Sequence, residues 1–425
     1  MSSTEFEFAG GTFAAGESAA PIGDAEASSA LDLAVTQARM NLPIYAGRCQ
    51  YHSSVNGSYP PCANDQWTTG FWPGEIWLAW ERTGDRAFRE AGEAYVESFH
   101  DRIVRKVSVD HHDMGFLYSP SCVAPWKLLS DERAREAAIL GARQLLTRFQ
   151  ERGGFFQAWG AMGERANYRF IIDCLMNLPL LYWAAEETGE PEFSDKADRH
   201  AATCLAHSFR PDRSTFHTFF MDPVTGEGVR GETCQGFRAD SSWARGQAWA
   251  VYGLALAYGR NPDPSILELF KGVASYYLSR LPKDLVPYWD LVFAAEAVDG
   301  KGSYQPGDSS EPRDSSSAAI VACGLLEMAR ELSARAAKAN APEAGLAAFA
   351  ETCRAVARRM VGSLARRYAA GSPAPGKGLL LHGTYSKKSP YNACTEEGVD
   401  ESLAWGDYFY MEALTRLARK WVPYW

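Results

Sequence analysis

Long apolar runs with helical spacing recur along the whole chain, while strand-like alternation is scarce. Six of these runs share one shape, a polar or glycine-containing opening followed by a nearly all-apolar stretch. They begin near Thr69 (TGFWPGEIWLAWERTGD), His112 (HDMGFLYSPSCVAPWKLL), Asp173 (DCLMNLPLLYWAAEETGE), Arg245 (RGQAWAVYGLALAYGR), Ser316 (SSAAIVACGLLEMAREL) and Glu401 (ESLAWGDYFYMEALTRLARKW). More charged, one-sided runs such as DRAFREAGEAYVESFHDRI and APEAGLAAFAETCRAVARRMVGSLARRY lie between them. A helix apolar all round is buried, and one with a single apolar face lies outside. The alternation predicts an all-α protein, six inner and six outer helices closed into a toroid, the (α/α)6 barrel. The run starts fall 43 to 85 residues apart, too uneven for a regular solenoid, and inserted loops account for the spread.

If each inner helix is followed by an outer helix returning antiparallel, all inner N-termini open on one mouth. The unusual residues sit at those N-termini: Trp67, His112 with Asp113, Asp173, Trp243 with Arg245, Ser315 to Ser317, and Glu401. Segments far apart in sequence are thereby expected to ring one pit.

Composition narrows this picture. At 425 residues the chain could hold two or three domains, yet no linker divides its middle, so residues 29–425 are read as a single catalytic domain. Residues 1–28, rich in Ser, Ala, Gly and Glu, read as a flexible N-terminal segment with no cleaved signal. A formal charge of -9 argues against a nucleic-acid surface, and no run reaches membrane-spanning length. Nine scattered cysteines without a CxxC pair suggest reduced thiols and a cytoplasmic location.

Asp113 and Asp173 each stand in apolar company, where poor solvation raises a carboxyl pKa and lets one group remain an acid. Helix capping is the competing reading. His112 and His217 could bind a carboxylate or hydroxyls, or be satisfied core histidines. In GETCQGFRADSSWARGQAW, Asp240, Ser241 or Ser242 can cap a helix that puts Arg245 in its first turn. A cation there meets the unfavourable end of the helix dipole, so an anion is expected beside it, either a substrate or an internal partner, Asp240 or Glu232. Arg245 and Trp249, four residues apart, share a helix face. Trp67, Trp159 and Trp243 are candidate sugar platforms. No HExxH or Cys/His spacing suggests a metal, and no nucleophile elbow, phosphate loop or dinucleotide fingerprint suggests a cofactor.

Together HHDMGFLY, IIDCLMNLPLL, HTFFMDPVTGE and DSSWARGQAW, in this order, resemble glycoside hydrolase family 88, the unsaturated glucuronyl hydrolases. The resemblance runs from NDQWTTGFWPG to WGDYFYMEAL and implies an (α/α)6 barrel. It implies a substrate too, oligosaccharides left by polysaccharide lyases with a 4,5-unsaturated uronic acid at the non-reducing end. By the same resemblance Asp173 is the general acid/base and Asp113 the second essential carboxylate. Trp67, His112, Trp159, His217, Gln235, Trp243, Arg245 and Trp249 fall on pocket positions, and Ser389 lies in a loop, with Lys387 and Lys388, that adjusts to the next sugar. Cys234 departs from the His often found before the glutamine. A rhamnogalacturonyl hydrolase, a sugar 2-epimerase on the same barrel and a non-catalytic sugar-binding protein are the alternatives. The expected oligomeric state is monomer or homodimer.

Overall fold

The helices expected inside the toroid are inside. A computed structural model describes residues 3–294, 310–338 and 344–425. Its helices are α1 (Asp24–Asn41), α2 (Phe71–Thr83), α3 (Arg86–Val104), α4 (Met114–Tyr118), α5 (Ala124–Leu129), α6 (Glu132–Leu146), α7 (Leu178–Thr188), α8 (Pro191–His207), α9 (Ala244–Arg260), α10 (Pro264–Ser279), α11 (Ser315–Ala336), α12 (Ala344–Ser363) and α13 (Ala404–Ala418). The inner ring is α2, α4 with α5, α7, α9, α11 and α13; α13 packs back on α2 and closes it. Outer helices α1, α3, α6, α8, α10 and α12 bury one side only. Among the described residues no helix is long and apolar enough to cross a membrane.

Two inner elements depart from a simple helix, and proline is the cause in both. Between α4 and α5 the backbone makes a π turn over Ser119–Val123, which carries Pro120, and Pro125 follows at the start of α5. The third inner element opens as a 3-10 turn, Ile172–Met176, with Pro179 at the first turn of α7. Asp173 is therefore on the 3-10 turn and not at an α-helix start. Glu401 also differs from expectation. It ends the strand Glu397–Glu401, and its carboxylate accepts the backbone N–H groups of Asn56 (2.8 Å) and Gly57 (3.0 Å), so it anchors a loop three residues before α13 begins.

Short strands bind the mouth loops together. The hairpin β1 (Ser3–Phe8) with β2 (Gly11–Gly16) lies at the N-terminus; β3 (Cys49–Gln50) pairs with β4 (Pro61–Cys62), and β5 (Phe149–Gln150) with β6 (Phe155–Phe156). A three-stranded antiparallel sheet runs β7 (Arg169–Ile171), β8 (Thr218–Met221), β9 (Gly228–Glu232), and β10 (Gly383–Ser386) pairs with β11 (Glu397–Glu401). Residues 3–28, expected to be flexible, are ordered. Phe8 is buried against Phe349, Gly16 N–H donates to Lys283 O (2.7 Å), and α1 already begins at Asp24. Alternating Phe6 and Phe8 on β1, with Phe13 opposite Phe6 and Gly11 opposite Phe8, supply the hairpin's apolar side.

The far end of the barrel is filled by Trp425, whose ring stacks on Phe409 (5.8 Å) and whose Nε1 donates to Glu412 (2.8 Å). The inner helices approach closely where glycine permits it. A Cβ on Gly324 of α11 would meet the backbone of Tyr252 on α9 at 2.8 Å. Alanine in place of glycine normally favours a helix by about 1 kcal/mol, whereas overpacking costs about 1–3 kcal/mol. Gly324→Ala should therefore lower the urea midpoint at unchanged m-value; a raised midpoint would show that α9 and α11 are free to separate.

Candidate active site

Three backbone strips hold the pit together. Ala158 sits between two of them: its N–H donates to Arg169 O (3.0 Å) and its carbonyl accepts His112 N–H (3.0 Å). Ile172 N–H donates to His217 O (3.0 Å), tying the Asp173 turn to the segment entering β8. His112, Trp159 and Asp173, far apart in the chain, are set side by side by these bonds. Gly115 completes the approach, because a Cβ there would lie 2.5 Å from Asn177 Cα. Asn177 reaches both sides, accepting Phe116 N–H (3.2 Å) and donating to Asp173 O (3.5 Å).

The cavity is lined by Trp67, His112, Asp113, Trp159, Ile171, Asp173, Gln235, Trp243, Arg245, Trp249 and Tyr385. Both aspartates are inside it. Asp113 takes the N-cap position of α4 but makes no capping bond, which removes the bland alternative for that residue. Its carboxylate faces His111 Nδ1 (3.1 Å) and His112 Nε2 (3.3 Å), and the same His112 nitrogen is 3.6 Å from Asp173 Oδ1. Despite these ion-pair contacts, His112 Nδ1 and Nε2 and Asp173 Oδ1 are buried and make no hydrogen bond of good geometry among the described residues.

Their environments push the two carboxyls apart. Burial, and then the Asp113 charge, raise Asp173 well above the ordinary carboxylate range. Burial also pulls Asp113 upward, but His112, His111 and the Arg102 charge outweigh it and hold it below its ordinary value. The two shifts run in opposite directions, so Asp173 is the member of the pair that holds a proton more tightly and Asp113 the one that gives it up more readily. Burial lowers His112, leaving it neutral. One atom from each of His112, Asp113 and Asp173 lies within 4.8 Å of the others, and these are the groups among the described residues that could ligate a cation. A shared proton meets the same electrostatic need.

Arg245 is in the first turn of α9, as the spacing predicts, but its anion is neither Asp240 nor Glu232. Asp240 pairs with Arg238 and Glu232 with Arg230. The partner is Asp314, immediately before α11, at 2.8 Å; both side chains are buried. Arg245 also donates to Thr384 O (2.6 Å) and Tyr385 O (2.5 Å) and lies over the Trp243 ring at 4.3 Å. The expected side-chain cap of α9 is not made: Trp243 holds the N-cap position, Ser241 donates to Asp290 and Ser242 to Gln247.

The remaining predicted residues divide. Trp67 stacks on Trp405 (5.2 Å) and donates to Tyr385 OH (3.3 Å), while Phe116 packs beneath Trp67 and Trp249 (5.8 and 5.1 Å). Gln235 lines the cavity and donates to Tyr385 O (3.2 Å). His217 stands behind Trp243, ring to ring at 4.4 Å. Burial and the Arg245 and Arg169 charges push its pKa down to about 3. Neutral, it accepts Cys234 and Gln235 N–H on Nδ1 (2.9 and 3.1 Å), so it shapes the loop carrying Gln235. Cys234 contributes its backbone to that bond. Ser389 is outside the cavity lining; its hydroxyl donates to Phe237 O (2.6 Å) and accepts the N–H of Tyr391 and Asn392 (both 3.1 Å). The sequence reading missed Tyr385 and Asp314. Tyr385 lies within the loop noted for its lysines and serine, and Asp314 opens the run DSSS, which repeats the DSS ahead of Arg245.

Comparison with known proteins agrees with this arrangement. The family model described as Glycosyl Hydrolase Family 88 matches residues 46–281. The chain is 44% identical over 398 residues to an unsaturated chondroitin disaccharide hydrolase of Streptococcus pyogenes serotype M1, covering 94% of this chain and 92% of that protein. Among solved structures, unsaturated glucuronyl hydrolase from Streptococcus agalactiae superposes with a TM-score of 0.86 at 39% identity, covering 95% of each chain. A point mutant of that enzyme complexed with dGlcA-GalNAc6S superposes at 0.79 and 36% identity, covering 95% of this chain and 94% of that one.

The Arg245–Asp314 pair makes a test of its own. Removing one partner of a buried pair strands the other charge at a cost of about 3–5 kcal/mol. Arg245→Ala and Asp314→Ala should each lower stability by about that much, and the double variant by clearly less than their sum. Additive losses in urea denaturation would mean that the two charges are satisfied elsewhere.

Proposed function

The chain belongs to Glycosyl Hydrolase Family 88, a glycoside hydrolase that removes the 4,5-unsaturated uronic acid from lyase-generated glycosaminoglycan disaccharides, and we propose that Asp173 and Asp113 carry the reaction. The observation behind this assignment is the split pair, an acid and a carboxylate within 4.8 Å at one aromatic pit. The epimerase and non-catalytic readings give way to the family. The relative at 44% identity is named for chondroitin disaccharides, and that is the substrate class we favour. Nine thiols, with Cys174 and Cys204 left 3.5 Å apart, support a reducing compartment, and we place the chain in the cytoplasm.

The substrate's ring carries an enol ether, C4=C5 bonded to the ring oxygen. Asp173 delivers its proton to C4, where the π pair forms the new C–H bond, and positive charge spreads over C5 and the ring oxygen. The Asp113 carboxylate stabilises that charge at close range in a poorly solvated pit. Water then bonds to C5 while Asp173, now a carboxylate, takes the water's proton and becomes an acid again. The hemiketal at C5 collapses to a ketone by breaking its bond to the ring oxygen, and the hemiacetal left at C1 expels the second sugar. Trp67, Trp243 and Trp249 give faces for the apolar sides of the sugar, and Gln235 gives hydrogen bonds to its oxygens.

Asp173→Asn and Asp113→Asn should each lower kcat on an unsaturated chondroitin disaccharide by at least about 10²- to 10⁴-fold, followed by loss of the alkene absorbance, with helical circular dichroism intact. Wild-type-like turnover in either variant removes that residue from the mechanism. The pH profile carries the sign. Activity needs Asp113 ionised and Asp173 protonated, so the acid limb of kcat/KM should lie below the ordinary aspartate range and the alkaline limb well above it. Because the Asp113 charge helps to raise Asp173, residual activity in Asp113→Asn should lose its alkaline side at a lower pH than wild type; an unmoved limb would show that the two groups do not interact.

A further inference from the structure

The cations around the pit are almost all committed. Arg245 is matched by Asp314, and Arg148 by Asp110 at 2.8 Å. Arg102 donates to Val107 O, Ser108 O, Gln66 O, Asn64 and Thr69. With Asp113 ionised, the pit is negative, and a uronate entering it meets a like charge that these pairs do not offset.

Arg169 is different. It begins β7, two residues before Ile171, which lines the cavity, so the two side chains leave the same face of the strand. Its guanidinium carbon is 4.4 Å from the centroid of Trp159, another lining residue, and 4.9 Å from that of Phe220. Arg230 lies over the same Phe220 at 4.5 Å, but Arg230 is already paired with Glu232. Among the described residues no carboxylate is within ion-pair distance of Arg169. Among the described residues its side chain makes one long hydrogen bond, to Asn167 Oδ1 at 3.4 Å, and its Nε is buried with no partner. A buried, unpaired guanidinium N–H carries a desolvation cost that an oxyanion would offset. With two aromatic rings within 5 Å of its guanidinium carbon the fork is confined beside the pit, and its paired N–H groups suit planar recognition of a carboxylate or one edge of a sulfate.

We propose that Arg169, packed against Trp159 and Phe220, is the cation that recognises an oxyanion of the bound saccharide, either the uronate carboxylate or a sulfate ester on the leaving sugar. This rests on the unsaturated disaccharide as substrate. Arg169 acts in binding, beside the wall of the pit, and not on the reacting carbons.

Arg169→Gln and Arg169→Lys are measured on three probes: the unsulfated unsaturated chondroitin disaccharide, its 6-sulfated form, and the uronate methyl ester of the unsulfated form. In Arg169→Gln, KM should rise about 10- to 100-fold on at least one charged probe with little change in kcat, and Arg169→Lys should recover part of it. A rise on both acids but not on the methyl ester assigns the carboxylate; a rise confined to the sulfated probe assigns the sulfate. KM within twofold of wild type on all three overturns the proposal. So does an equal rise on all three, methyl ester included, accompanied by a lower Tm, because that pattern marks a structural residue. Kd values from calorimetry in the Asp173→Asn background read the same contrast without turnover. If wild type itself fails to turn over the disaccharides, the proposed reaction is what fails, and the Kd arm still decides Arg169.

Discussion

Two carboxyl groups held within a few ångströms in a poorly hydrated pit cannot both be ionised, and much of this molecule is arranged to decide which of them keeps the proton. The decision is made by neighbours. Asp113 has the two imidazoles and the reach of the Arg102 charge, whereas Asp173 has burial and the charge of Asp113. Neither group would be useful for this chemistry alone: an isolated buried aspartate is merely neutral, and an isolated exposed one merely charged.

The barrel serves that arrangement by bringing together segments 60 residues apart. The contacts responsible are backbone contacts, in which Ala158 is hydrogen-bonded on one side to His112 and on the other to Arg169, and α4 is pressed on Asn177 through Gly115. A side chain at Gly115 would widen the gap between the carboxyls, and Coulomb interaction at this range changes steeply with distance. On the opposite side of the pit the Arg245–Asp314 pair ties α9 to the start of α11, and through Thr384 and Tyr385 to the loop that completes the wall. Charge that might have met the substrate is thus spent on holding the pit open in a fixed shape.

The inner and outer helices were legible because burial all round, or on one face, is written directly in composition and period. Asp113, Asp173 and the tryptophans were legible because they break that pattern where the inner helices begin, and the family resemblance supplied roles that period alone does not. Partnerships were not legible. Nothing local to Arg245 names Asp314, 69 residues away, over the nearer Asp240 and Glu232, which the chain uses for Arg238 and Arg230. The N-terminal hairpin was missed because Gly, Ser and Ala suggest disorder, while its order comes from the tertiary contact of Phe8 with Phe349. The 3-10 turn at Asp173 followed from Pro179, a signal present in the sequence but read only as part of an apolar run.

Proton delivery to C4 is the step that separates alkene hydration from ordinary glycoside hydrolysis at C1. Turnover of an unsaturated disaccharide in deuterium oxide, quenched early before hydrogens next to the new ketone exchange and read by NMR, reports it directly. A single deuterium at C4, entering from one face, is the outcome expected if buried Asp173 is the acid. Product free of deuterium at C4, or comparable cleavage of the saturated glucuronide, would contradict it and return the pair to conventional chemistry at the anomeric carbon.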